Sequence, residues 1–181
     1  MNNLTISKQI EAAIILPVQE VELLVSDFRR RYDPLASVGV PAHITINYPF
    51  TPHINRPKKA GADLLVLISE FSQFYYNLTE IRTFDQVVYL FPEPTEPFIS
   101  LIKAIFTRFP DSPPYKGEFT QPIPHLTVAQ VEKDEILQVK EELTKRLGSL
   151  LPLPAKAREL WLIDNSEKIW KRRQVFPLKS F

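Results

Sequence analysis

One short motif occurs twice in this chain, and it carries the residues best suited to chemistry. The first copy is Pro41-Ala42-His43-Ile44-Thr45-Ile46, and the second is Pro124-His125-Leu126-Thr127-Val128. In each copy one aliphatic residue separates histidine from threonine. In a strand, these two polar side chains would share one face while the aliphatic side chains share the other. Each motif therefore predicts a strand that buries an aliphatic row and presents one imidazole and one hydroxyl group.

Two facing imidazoles form an acid–base couple. An unperturbed imidazole titrates at about pH 6.5, so near neutrality one ring can be protonated while its neighbour is neutral. Displacement at phosphorus needs a base for the incoming oxygen and an acid for the departing one, each contributing a factor of about 10² to 10⁴. His43 and His125 are therefore the predicted catalytic residues. Thr45 and Thr127 are the predicted phosphate-binding residues, because their hydroxyls would meet the non-bridging oxygens, where charge shifts in the transition state.

The composition is that of an ordinary globular protein. The chain has 181 residues, of which 44% are hydrophobic and 24% charged, and we expect a single domain over residues 1–181. With 22 Lys+Arg against 21 Asp+Glu, there is no net field to hold long nucleic acid, although an RNA end or a small nucleotide remains a suitable partner. The absence of cysteine excludes disulfides and thiolate chemistry. The apolar run Ala12–Val18 is too short to span a membrane. We expect a cytoplasmic protein with no membrane contact and no obligate protein partner.

Helices and strands are predicted around the two motifs. Apolar spacing predicts four amphipathic helices, at Val18–Tyr32, Gly61–Phe74, Glu96–Phe109 and Lys133–Leu147. Further strands are predicted at Ala12–Leu16, Tyr75–Thr83 and Gln86–Phe91, and in a C-terminal hairpin of Glu159–Ile163 and Lys168–Phe176. The chain therefore mixes both element types throughout its length.

The two halves of the chain repeat one order of elements. A strand that ends at a proline (Pro17 or Pro92) leads into a helix, then to an aromatic residue with Asp and Pro, then through a loop to a His-x-Thr motif. This order predicts an internal duplication with a pseudo-twofold axis between the motif strands. Such an axis would bring His43 and His125 together.

The motifs and several other segments resemble the two-histidine (2H) phosphoesterase superfamily, in particular its branch of bacterial 2′-5′ RNA ligases and cyclic phosphodiesterases. Besides the motifs, the matching segments are Tyr48-Pro49-Phe50, Leu90–Pro94, Pro114–Phe119 and Phe176–Leu178. The resemblance implies an α+β fold that is bilobal and duplicated, with two antiparallel sheets lining a central cleft and helices on the outside.

The resemblance also implies a reaction. It implies metal-independent action on 2′,3′-cyclic phosphates of RNA ends or small nucleotides, or on 2′-5′ phosphodiester bonds in hydrolysis or reverse ligation, without a cofactor. In that family the paired histidines are acid and base and the paired threonines hold the phosphate, which matches His43, His125, Thr45 and Thr127. Many relatives place an arginine where this chain has Gln130. The resemblance therefore gives no support for a phosphate-neutralising cation at that position.

Other polar and aromatic residues have a structural explanation beside a functional one. Tyr48 and Tyr115 are candidates for stacking on a substrate base, with core packing or loop anchoring as the alternative. His53 repeats no motif and is predicted to be a loop histidine, and no metal site is predicted because no acidic cluster at ligand spacing accompanies the histidines. The basic residues at 29–31 and at 168–173 suit an RNA backbone, but a solvated helix end and an exposed strand explain them as well.

Two functions remain open at this point. The first is the metal-independent phosphoesterase, and the second is a non-catalytic module that binds RNA ends or nucleotides at the same site. The neighbouring residues predict an enclosed His43 and a wetter His125. Although these surroundings do not fix the roles, we assign His125 as the base and His43 as the acid.

Overall fold

A single antiparallel sheet of eight strands lies at the centre of the fold. The computed structural model describes residues 10–118 and 121–180. The strands in this part of the chain are β1 (Ala12–Pro17), β2 (His43–Asn47), β3 (Phe74–Phe84), β4 (Val87–Glu93), β5 (Leu126–Gln130), β6 (Leu153–Ala157), β7 (Glu159–Asp164) and β8 (Lys171–Pro177). Their order across the sheet is β6-β3-β4-β5-β2-β1-β7-β8. The two motif strands, β2 and β5, are therefore neighbours in the middle of the sheet.

The longer helices all pack on one face of this sheet. The α-helices of the described residues are α1 (Gln19–Tyr32), α2 (Pro34–Ser37), α3 (Thr51–Asn55), α4 (Pro57–Ile68), α5 (Glu96–Arg108) and α6 (Ile136–Leu147). The helices α1, α4, α5 and α6 each bury an apolar stripe in the same hydrophobic cluster. Within the described residues, no helix is both long enough and apolar enough to cross a lipid bilayer.

The alternation of the motif strands decides which side chains meet the helices. Ile44 and Ile46 of β2 and Leu126 of β5 are fully buried in the main cluster beneath the helices. The side chains between them must project from the opposite face. We call the helix-covered side the helix face, and the side that bears His43, Thr45, His125 and Thr127 the histidine face. The histidine face has its own smaller cluster of buried apolar residues: Ala13, Ile15, Val40 and Ile163.

The predicted α+β fold is confirmed, and its strands form one sheet in the described part of the chain. In place of two separate sheets, there are two four-stranded halves, β6-β3-β4-β5 and β2-β1-β7-β8. They are joined where β2 pairs with β5 at Ile44 and Leu126. The bilobal shape and the central cleft stay predictions. The two units β1–α1–β2 and β4–α5–β5 each place a motif strand beside the strand that precedes it, but their origin by duplication also stays a prediction.

Proline chemistry explains two differences in the elements. The helix predicted at Gly61–Phe74 instead spans Pro57–Ile68, because proline suits the first turn of a helix, and Phe74 already begins β3. The strand β6 was not predicted, since it contains Pro154. It lies at the edge of the sheet, where a residue without an N–H is tolerated. Phe119 of the family-like segment lies outside the described residues.

Candidate active site

The central strand pair brings the four motif side chains together. Ile44 of β2 lies opposite Leu126 of β5 in an antiparallel register. One residue to either side, this register places His43 opposite Thr127 and Thr45 opposite His125. Directly opposed side chains in such a pair have Cβ atoms about 4.5–5.5 Å apart, and diagonal neighbours about 7–8 Å. We call this group of two histidines and two threonines the His–Thr square.

Both imidazole rings are held in the same way. The Nδ1 atom of His43 lies 2.8 Å from the carbonyl oxygen of Pro41, and Nδ1 of His125 lies 2.7 Å from that of Ile123. A carbonyl oxygen can only accept a hydrogen bond, so Nδ1 carries the hydrogen in each ring. In the neutral ring, Nε2 then carries the lone pair and can accept a proton. The two rings are thus alike in their tautomer and in their local anchoring.

A buried ion pair fixes the chain just before His43. The Arg29 side chain is buried; its Nη2 atom lies 2.7 Å from Asp33 Oδ2, and its Nη1 atom donates to the carbonyl oxygen of Val40 at 3.0 Å. The backbone N–H of Ala42 donates to Glu22 Oε2 at 2.6 Å. These contacts attach the segment that leads into β2 to helix α1, so they position the first histidine.

His43 has a strongly reduced affinity for a proton. Burial lowers the pKa of His43 to about 4; the hydrogen bond to Pro41 acts against this shift, while the positive charges of Arg29 and His125 add to it. By surface area the residue is half-buried rather than fully enclosed, so solvent still reaches part of it. His43 is therefore neutral at pH 7 in the free protein.

Two aromatic rings surround His125. The Phe84 ring meets the His125 imidazole edge-on with centroids 4.9 Å apart, and the Tyr89 ring lies 5.4 Å away. Burial lowers the pKa of His125 as well, and the hydrogen bond to Ile123 opposes the shift. Phe84 and Tyr89 were not among the site residues predicted from sequence. A usable signal was the alternation of the predicted strand Gln86–Phe91, which contains Tyr89, and of Tyr75–Thr83, which Phe84 directly follows; both rings fall on the same face as Thr127.

The loop before the second motif reaches back to the first one. The Tyr115 N–H donates to the Tyr48 carbonyl oxygen at 2.6 Å, and the Tyr115 hydroxyl shares a hydrogen bond with the hydroxyl of Thr45. Tyr115 and Lys116 both have positive φ, at 50° and 56°. Non-glycine residues rarely adopt this backbone region, and such strain is maintained only where surrounding contacts enforce it. The loop thus holds the Tyr115 hydroxyl on a residue of the His–Thr square.

Tyr48 is engaged away from the square. Its hydroxyl donates to Glu11 Oε1 at 2.8 Å, and its ring packs near Trp170 with centroids 6.5 Å apart. Burial and the bond to Glu11 raise the pKa of Tyr48 to about 12. Base stacking by Tyr48 or Tyr115 stays a prediction, but both hydroxyls already have protein partners.

The other candidates lie outside the square. His53 is in helix α3 rather than in a loop, and its Nε2 atom lies 3.0 Å from Asp164 Oδ2. Gln130 is exposed at the end of β5. Arg29 is buried, so it cannot meet an RNA backbone. Most of the other basic side chains in the two groups have acidic or aromatic partners: Arg30, Arg31, Lys171, Arg172 and Arg173. Across residues 10–118 and 121–180, no group of three or more His, Asp or Glu side chains is arranged to hold a metal ion.

Comparison with known sequences identifies relatives along most of the chain. The family model described as the 2′-5′ RNA ligase superfamily matches residues 14–168. A curated protein of Geobacillus kaustophilus (strain HTA426), named "Putative phosphoesterase GK0864", is 25% identical over 120 residues. That match covers 65% of this chain and 66% of the relative, so it spans slightly less than two thirds of the relative's length.

Solved structures share the fold at low sequence identity. E. coli LigT in complex with 3′-AMP superposes with a TM-score of 0.62 at 12% identity, over 93% of this chain and 97% of that one. The complex of E. coli LigT with NADP+ superposes with a TM-score of 0.58 at 16% identity and with the same coverage. The protein TT0787 of Thermus thermophilus gives 0.55 at 15% identity, over 94% of this chain and 98% of that one. At these identities the likeness concerns the fold alone.

Proposed function

The chain belongs to the 2′-5′ RNA ligase superfamily, and on that premise we propose that it is a phosphoesterase that opens 2′,3′-cyclic phosphates at RNA ends or in small nucleotides. The same site would cleave 2′-5′ phosphodiester bonds, or form them in the reverse direction. The observation that carries this proposal is the His–Thr square, in which both rings are anchored through Nδ1 to the carbonyl two residues earlier. The binding of 3′-AMP by E. coli LigT supports a nucleotide as the ligand class.

The proposed reaction uses one histidine on each side of the phosphorus. A neutral imidazole takes a proton from water through Nε2 while the water oxygen forms a bond to phosphorus. The bond from phosphorus to one ribose oxygen breaks, and the other, protonated imidazole donates its Nε2 proton to that oxygen. The product is a phosphomonoester, and proton exchange with solvent restores both rings. Because the two imidazoles supply both proton transfers, we propose that no metal is needed.

We assign His43 as the base and His125 as the acid, the reverse of the assignment from sequence. The buried guanidinium of Arg29 disfavours a second positive charge on His43. Burial also lowers the pKa of His125, but no arginine adds to that shift. His125 is therefore the ring better suited to carry the proton that the leaving oxygen receives. The negative phosphate of a bound substrate raises the pKa of both rings.

Thr45 and Thr127 would donate their hydroxyls to the non-bridging oxygens. In the antiparallel register each threonine lies opposite the histidine of the other motif, so the two hydroxyls approach the phosphate from both strands. Donors fixed in place before the reaction stabilise developing charge without reorganisation. This role depends on hydroxyl orientation, which for Thr45 involves Tyr115.

The test is a substrate panel with matched variants. The panel contains 2′,3′-cyclic mononucleotides, oligoribonucleotides that end in a cyclic phosphate, and 2′-5′-linked dinucleotides, each with and without EDTA. We expect turnover of at least one class that survives EDTA, and a bell-shaped dependence of kcat/KM on pH. The His43→Ala and His125→Ala variants should both lose this turnover. Nucleotide binding without turnover at any pH would instead favour the non-catalytic module.

A further inference from the structure

Cations are scarce on the strands that carry the proposed reaction. On β1, β2, β4 and β5, the described residues of the histidine face include no lysine or arginine. Beyond these strands, Arg82 of β3 projects from the histidine face, because its neighbour Ile81 packs against the main cluster on the helix face.

Register places Arg82 in line with the His–Thr square. Thr127 of β5 pairs with Tyr89 of β4, and Tyr89 pairs with Arg82 of β3. Neighbouring strands lie about 4.8 Å apart, so the backbone of Arg82 is about 10 Å from that of Thr127. The corresponding line on the other half runs from Thr45 through Ile15 to Trp161. On that half the nearest stacked guanidinium is Arg172 of β8, whose Cζ atom lies 4.5 Å from the centre of the Trp161 ring, so it is one strand farther from the square than Arg82.

The guanidinium of Arg82 is arranged for an anion. Its Cζ atom lies 3.6 Å above the centre of the Phe91 ring, and its Nε atom donates to Glu80 Oε2 at 2.8 Å. Among the described residues, neither Nη atom has a hydrogen-bond partner, and the side chain is 39% exposed. Stacking and the Nε contact fix the plane of the fork, whose two Nη groups suit the oxygens of a phosphate. The carboxylate of Glu80 opposes an anion but holds the fork in place.

We propose that Arg82 binds the phosphate on the 5′ side of the terminal nucleotide, so that the preferred substrate is an oligoribonucleotide with a cyclic-phosphate end rather than a cyclic mononucleotide. This inference rests on the proposed function, because it takes the His–Thr square as the place of the reacting phosphate. A cyclic mononucleotide has only one phosphate, and the His–Thr square binds it. A dinucleotide has a second phosphate one nucleotide away, and the proposal places its chain across Tyr89 towards Arg82.

The experiment compares two substrates that differ by one nucleotide: adenosine 2′,3′-cyclic phosphate, and the ApA dinucleotide with a 2′,3′-cyclic phosphate end. For Arg82→Gln we expect kcat/KM on the dinucleotide to fall about tenfold or more, the usual effect of removing a charged hydrogen bond. On the mononucleotide it should change by less than about twofold. Arg82→Lys, which keeps the charge and loses the fork, should lie in between. The log–log salt slope for dinucleotide binding should flatten by about 0.7 in Arg82→Gln, as expected for one lost phosphate contact.

Arg146→Gln is the matched control, because Arg146 is an exposed arginine of α6 on the helix side. This variant should leave kcat/KM unchanged on both substrates. An equal loss on both substrates in Arg82→Gln, or no loss on either, would overturn the inference. If the wild type turns over neither substrate, the proposed function fails. The inference is then tested by calorimetry on wild type and Arg82→Gln. The variant should lose affinity for the dinucleotide and keep its affinity for the mononucleotide. Failure of the wild type to bind the dinucleotide more tightly than the mononucleotide would then overturn it as well.

Discussion

The half of the sheet around His43 and the half around His125 present the same motif in different surroundings. His43 follows a segment attached to the buried pair of Arg29 and Asp33, and Ile15 pairs with its motif threonine. His125 is flanked by Phe84 and Tyr89. The motif therefore sets the tautomer and the direction of each ring, because both are anchored alike, while the neighbouring strands and helices set the proton affinity. This difference is the basis on which we propose opposite roles for two similar histidines.

The largest effect should come from removing either ring. On an oligoribonucleotide with a cyclic-phosphate end, His43→Ala and His125→Ala should each lose a factor of about 10² to 10⁴ in kcat. The two variants should separate on a p-nitrophenyl phosphodiester, whose leaving group needs no proton. His125→Ala, which lacks the proposed acid, should recover most of its activity there, and His43→Ala should stay slow.

His53→Gln is the control for this comparison, since His53 lies outside the square. Circular dichroism should show an intact fold in all three variants. Recovery of His43→Ala instead of His125→Ala would reverse the assignment of acid and base. Equal rates for both variants on the activated substrate would remove the division of roles altogether.

The second effect concerns the buried ion pair on the His43 side. Arg29→Met leaves the carboxylate of Asp33 buried without its partner, which typically costs about 3–5 kcal/mol in the free energy of unfolding. Urea denaturation measures this loss. Arg31→Met is the matched variant, because the Arg31 side chain is 69% exposed, and it should change stability by less than about 0.5 kcal/mol. In NMR titrations of Arg29→Met, the pKa of His43 should rise. A shift of His125 instead would contradict the proposed asymmetry.

The motif strands could be predicted from sequence, because alternation fixes which side chains share a face. The neighbours that distinguish the two histidines could not. The pairing of Tyr89 with Thr127 depends on a bulge between β4 and β5, and the pairing of Arg82 with Tyr89 depends on the short turn that joins β3 to β4. A one-residue shift in register moves every side chain to the other face. Arg29 and Asp33 stand at helical i,i+4 spacing, which suits an ion pair, but neither the pair nor its burial was predicted.

The third effect is the dependence of the free energy of unfolding on pH, to which His43 should contribute more than His125. Unfolded histidine titrates at about pH 6.5, whereas burial lowers the pKa of His43 to about 4 in the folded protein. Between these values the unfolded chain binds the proton and the folded protein does not, so stability falls as pH falls from about 6.5 to 4 and then levels off. His43 should account for about 1–3 kcal/mol of this loss.

Urea unfolding at pH 7 and pH 4.5 measures this contribution. In His43→Gln the difference in stability between the two pH values should shrink by that amount, and in His125→Gln it should shrink by less. Equal reduction in both variants would show that the two rings have equivalent environments. An unchanged pH dependence in His43→Gln would mean that His43 is not desolvated in the folded protein.

The smallest effect should come from removing the Tyr115 hydroxyl, which contacts Thr45 and not Thr127. The hydroxyls of Tyr115 and Thr45 share a hydrogen bond that helps to fix the orientation of the Thr45 hydroxyl; Thr127 has no side-chain partner among the described residues. Tyr115→Phe should therefore lower kcat about fivefold, the effect of one neutral hydrogen bond, with little change in KM. Tyr32→Phe, whose hydroxyl bonds to Glu142 outside the square, should leave kcat unchanged. Adding Tyr115→Phe to Thr45→Val should cost nothing further, since the partner is already gone. If the two losses multiply in the double variant, Tyr115 acts independently of Thr45, and the two threonines are oriented without it.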